Sequence, residues 1–167
     1  MWWNRSNALR DVVEEEETVY VYNEAEILAR AYSLTSTFCA YFPTFQNYFA
    51  VKACPNPHIL AVLTKSESET SPNMGLDCSS LAELEIARRW NLTTPDNIIF
   101  TSNYTSREEL LAAVEMGVML NLDDKSLVRD LGEVCIENNL TFPEFLYFRV
   151  NPGEISKHLI RHWKGNV

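Results

Sequence analysis

Lys52 closes the apolar run Tyr48-Phe49-Ala50-Val51, and a lysine so placed has a chemical use. Partial removal from water makes an ammonium give up its proton more readily, and the neutral amine can attack a carbonyl carbon to form an imine. Periodicity alone leaves a second reading open, a lysine that simply follows its strand out to solvent. Asp77 ends another apolar run, after Gly75-Leu76. A carboxylate sharing a mouth with Lys52 would orient the amine by charge and hydrogen bonding, and a plain surface aspartate is the alternative. Arg149 lies inside Leu146-Tyr147-Phe148-Arg149-Val150, where a guanidinium is expensive unless it faces a polar cavity or an anion.

Other polar residues fall at matching places. Ser79 or Ser80 reads as the cap of a helix with Glu83 completing a capping box, and Thr101-Ser102-Asn103 ends a third apolar run. In Asn121-Leu122-Asp123-Asp124 the acids are expected to cap the helix that follows. His58, His158 and His162 have no acid or thiol set at ligand spacing, so no metal site is expected.

Residues of this kind are gathered at one mouth when they sit at the C-terminal ends of parallel strands. The chain supplies such strands at Asn47–Val51, Met74–Asp77, Asn97–Phe100, Val118–Leu122 and Phe145–Val150. Helical patterns lie between them at 56–65, 79–90, 106–116 and 124–139. The alternation predicts βα units in a parallel sheet, either part of an eight-stranded barrel or open with helices on both faces. No Gly-x-Gly-x-x-Gly follows a strand, which removes the main support for dinucleotide binding. Upstream, Thr18–Tyr22 alternates like a strand, and Asn23 can cap a helix carrying Ile27, Leu28 and Tyr32. The organisation is a lead-in over 1–17, a main domain over 18–153 and a short basic tail over 154–167, with a Ser/Glu/Thr-rich loop at 66–73.

The 167 residues suffice for one domain but not for a closed barrel of this type. A net charge of −9 argues against binding a nucleic-acid backbone. The four cysteines are scattered, and are read as reduced thiols of a cytoplasmic protein. Nowhere do about 18 apolar residues run together, so no membrane segment is expected. The triplets Asn91-Leu92-Thr93 and Asn103-Tyr104-Thr105 would accept glycans only in a secreted protein, which nothing else suggests.

Three ordered segments together resemble one family, the fold-type III pyridoxal-phosphate decarboxylases. Tyr48-Phe49-Ala50-Val51-Lys52-Ala53-Cys54-Pro55 is similar to the family's cofactor-lysine strand, and Gly75-Leu76-Asp77-Cys78-Ser79-Ser80-Leu81-Ala82-Glu83-Leu84 to its second-strand motif. Phe148-Arg149-Val150-Asn151-Pro152-Gly153 resembles the Arg-Val-Asn-Pro segment of the diaminopimelate branch. The resemblance implies an α/β fold, the N-terminal part of an alanine-racemase-like (β/α)8 TIM barrel with about five of eight strands and no closure. It implies pyridoxal 5'-phosphate as cofactor, attached to Lys52 as an imine that an incoming amino acid displaces. Asp77 would lie beside that lysine and Arg149 near the cofactor ring, with Ser79, Glu83 and Asn103 in support. By the same resemblance the substrate is meso-diaminopimelate, decarboxylated to L-lysine for lysine biosynthesis, and the family assembles as homodimers. An ornithine or arginine decarboxylase of polyamine synthesis is the alternative within the family. A non-catalytic fragment that pairs with a full-length partner is the alternative outside it. An alanine racemase or cofactor carrier fits the Arg149-Val150-Asn151-Pro152 segment less well. The family's ring-stacking histidine, glycine-rich phosphate loop, Glu-Pro-Gly-Arg segment and C-terminal β-domain all belong after Gly153. The expectation is therefore a truncated or degenerate product with little activity alone.

Overall fold

A computed structural model describes residues 20–42, 44–65 and 73–150. The lead-in, Thr18 and Val19, most of the 66–73 loop, Asn151 to Gly153, His158, His162 and the tail lie outside them.

Each helix starts where a side chain can take a backbone N–H that the first turn leaves free. Helix α1 (Glu24–Cys39) begins at Asn23, whose side chain accepts from the Glu26 N–H at 3.3 Å, with Glu24 and Glu26 in the electropositive first turn. Strand β1 (Tyr48–Ala50) runs into a 3-10 turn, Val51–Ala53, and then Asn56 caps α2 (Pro57–Thr64) with Pro57 in its first turn. Strand β2 (Gly75–Cys78) leads to α3 (Leu81–Arg89), and β3 (Ile98–Phe100) to α4 (Arg107–Met116). Helix α4 carries a full capping box between Ser106 and Glu109 and stops at Gly117, whose φ of 71° is left-handed. Strand β4 (Met119–Leu122), α5 (Leu127–Glu137) and β5 (Tyr147–Phe148) complete the described chain.

The five strands form one sheet in the order β1-β2-β3-β4-β5, and every neighbouring pair is parallel. In a parallel sheet of sequential order, crossovers that share one hand put the connecting helices on one face. The core is on that face: Leu76, Cys78, Ile98, Phe100, Leu120 and Leu122 are buried with Leu60, Leu84, Leu110 and Leu131 of the helices. Alternate strand positions, among them Asp77, Ile99 and Asn121, are half-buried on the other face. A smaller cluster of Ala31, Leu63 and Met74 fastens α1. The arrangement is the expected partial barrel, and among the described residues β1 and β5 remain edges.

Three expectations are corrected. Tyr20 to Tyr22 form no strand, because all three are exposed and their alternation has no half-buried face to rest on. The strand expected over Phe145–Val150 shrinks to Tyr147–Phe148, since β4 offers it partners only at Asn121 and Leu122. Arg149 therefore follows the strand. Asp123 does not cap α5, because its carboxylate accepts from the Tyr104 N–H instead, while Asp124 accepts from the Ser126 N–H.

Candidate functional site

Polar residues on the helix-free face and at the strand ends enclose a cleft of about 670 Å³. Lys52, Asp77, Ser79, Asn103 and Arg149 all wall it, whereas Glu83, also singled out by sequence, is not among the lining residues and touches the wall through Ser79. The five come from four strands, Asp77 and Ser79 both from β2 and its end, and are brought together by parallel pairing, which aligns Ala50 with Asp77 and continues as Thr101 N–H to the Cys78 carbonyl at 2.8 Å.

Lys52 stands in the 3-10 turn immediately after β1. It is exposed, not partly desolvated as its apolar strand suggested, because the turn swings it out of the sheet. Asp77 points from the middle of β2 into the cleft, and its Oδ1 is enclosed with no hydrogen-bond partner among the described residues. Burial raises its carboxyl pKa from the ordinary value, while the neighbouring Thr101 side chain and the charges of Lys52 and Arg149 pull the other way.

The capping expectation at the second strand resolves into two serines. Ser80 is the cap, accepting from the Glu83 N–H at 3.4 Å, while Glu83 reaches back to the Ser79 N–H at 2.7 Å. Ser79 Oγ also lies 3.3 Å from both Glu83 oxygens. On the far wall the Arg149 guanidinium donates to the Asn103 carboxamide oxygen, and the Arg149 N–H donates to the Leu122 carbonyl at 2.8 Å.

Sequence reasoning missed Tyr48 as a cleft residue, and put Thr101 and Asn121 at strand ends without giving either a part in the site. The Asn121 side chain donates to Thr101 Oγ1 at 3.2 Å, continuing a polar row toward Asp77. Two-residue alternation counted from Asp77 through the strand register would have found them.

These walls are suited to a small anionic molecule with a carbonyl. Lys52 offers an amine, Arg149 a cation, and Asp77 one enclosed carboxylate oxygen without a partner among the described residues. Pyridoxal phosphate has those features, and the residues present fit it.

Comparison with known proteins bears on the same point. Residues 25–162 match the family described as pyridoxal-dependent decarboxylase, pyridoxal binding domain. Protein TabA of Pseudomonas amygdali pv. tabaci is 36% identical over 133 residues, covering 80% of this chain and 28% of the relative. The diaminopimelate decarboxylase of Methanothermobacter thermautotrophicus is 33% identical over 134 residues, with the same coverage of 80% and 28%. The chain thus spans 28% of the length of these two relatives. Among solved structures, diaminopimelate decarboxylase from M. jannaschii in co-complex with L-lysine superposes with a TM-score of 0.68 at 25% identity, over 88% of this chain and 34% of that one. The Helicobacter pylori enzyme complexed with L-lysine gives 0.69 at 20% identity, a likeness of fold, over 86% of this chain and 34% of that one.

Proposed function

The chain belongs to the pyridoxal-dependent decarboxylases, and from that premise we propose that it carries the cofactor-lysine part of an amino-acid decarboxylase acting on meso-diaminopimelate. The observation that supports this most is the convergence of Lys52 and Asp77 on one cleft, with an enclosed Asp77 oxygen left without a partner. Relatives named as diaminopimelate decarboxylases favour that substrate over ornithine. The Arg149-Val150-Asn151-Pro152 segment agrees with them.

When bound, pyridoxal phosphate supplies an electron sink for the pair left behind as carbon dioxide departs. The chain's own residues do the rest of the work at this end of the barrel. Lys52 Nζ would hold the cofactor, its exposed amine standing at the cleft mouth. Asp77, on β2, faces the same cleft as Lys52, and its carboxylate would orient the amine by charge. Asn103 holds the Arg149 guanidinium in one direction, so that its charge meets an anion at the mouth. Ser79, tied to Glu83, lines the wall between them.

The test is an absorbance titration of the chain with pyridoxal phosphate, followed by borohydride reduction and peptide mapping, in wild type and Lys52→Ala. A visible imine band and one reduced adduct, on Lys52, are expected, with both lost in the variant. Labels spread over many lysines would defeat the reading. Addition of meso-diaminopimelate should shift the band more than ornithine does, and the reverse order would reassign the substrate.

A further inference from the structure

Two consecutive residues at the end of β4 hold two separate segments. The Leu122 carbonyl accepts the Arg149 N–H at 2.8 Å, and Asp123 Oδ2 accepts the Tyr104 N–H at 3.1 Å. The held segments meet through their side chains, where Arg149 donates to Asn103. Both of these residues wall the cleft.

The Asp123 contact is kept at local cost. Tyr104 has a φ of 60°, a left-handed conformation that is unfavourable for a non-glycine residue. Its side chain is 97% exposed, so packing offers nothing in return. The other carboxylate oxygen, Asp123 Oδ1, is enclosed and has no partner among the described residues, a further cost. A turn that fixes an unpacked tyrosine through a half-satisfied carboxylate is poorly explained by stability. Its geometric effect is to set the residue before it, Asn103, against Arg149.

We propose that Asp123 is a positioning residue of the cleft: by holding the Tyr104 turn it presents Asn103 to Arg149 and so fixes the direction of the guanidinium. The proposal rests on the cofactor reading only for the binding half of its test.

The test uses the full chain in two measurements. Without ligand, nuclear magnetic resonance follows the Asn103 carboxamide signals and the exchange of the Tyr104 amide. Asp123→Ala is expected to move the Asn103 signals as Arg149→Ala does, and to speed Tyr104 exchange about tenfold, the scale of one lost hydrogen bond to a charged group. Asp123→Asn, whose carboxamide oxygen still accepts the N–H, is expected to retain both. With pyridoxal phosphate, the apparent affinity falls about tenfold in Asp123→Ala while the reduced adduct stays on Lys52, and Asn restores it. Should Asp123→Ala not fold, Asp123→Ser carries the same comparison. Asn103 signals that stay in place after Tyr104 is released would overturn the proposal, as would wild-type affinity in that variant. A wild-type chain that takes no cofactor at Lys52 would sink the functional reading alone, and the ligand-free signals would still decide the role of Asp123.

Discussion

Burial holds the Asp77 carboxyl above the ordinary aspartate value of 3.8, so the folded chain ionises it less readily than the unfolded chain does. As pH rises from 3.8 the unfolded chain loses this proton first, stability falls up to the raised folded value, and the deficit persists above it. Asp77→Asn is therefore expected to stabilise the chain at pH 7 and to give no gain below 3.8, read from urea midpoints at the two pH values. The same change should weaken cofactor uptake, which separates function from stability at one residue. Thiols provide a second check. Burial pushes Cys78 up to about 12 and raises Cys135, whereas Cys39 is exposed and Cys54 half-buried. Cys39 and Cys54 should react first with a thiol reagent, and Cys78 and Cys135 only as fast as the chain unfolds. Lys52, Asp77 and Arg149 were legible in the sequence because each interrupts or ends an apolar run. The Asn103–Arg149 pair was not, since 46 positions separate its members and only the fold joins them.

At the scale of elements, Gly75 shows how closely β1 and β2 approach. A Cβ there would collide with the Tyr48 ring and stand 2.8 Å from the Asn97 carbonyl oxygen. Gly75→Ala should cost about 1–3 kcal/mol, as overpacking does, and should displace Tyr48 from the cleft wall. Thermal melts read the first effect and cofactor affinity the second. Ser106→Ala removes the capping box of α4 and should cost about 1 kcal/mol, with no change at the cleft, because the Ser106 and Glu109 pair is exposed on the surface. Helix starts could be read closely, since Asn, Ser and Pro mark them chemically. The length of β5 could not, because a strand extends only as far as its neighbour allows, and that neighbour is set by β4 rather than by the composition of Phe145–Val150.

For the whole molecule, the order of units, the parallel sheet and the shared mouth were all visible as a rhythm of short apolar runs and amphipathic helices. Which face of each strand carried the cleft was harder to see, because alternation over three or four residues is too brief to identify. The same sheet leaves Phe145, Phe148 and Val150 exposed, and among the described residues nothing pairs with the outer side of β5. Concentration-dependent association is expected through this edge, and Phe148→Lys should reduce it in sedimentation velocity runs. Strand order that follows chain order has another consequence. Each strand finds its partner one βα unit away, so every new contact closes a short loop onto structure already made. A ribosome delivering this chain from its N-terminus would thus release it in the order in which it can be stacked, with the Lys52 turn settled before the Arg149 segment has been synthesised.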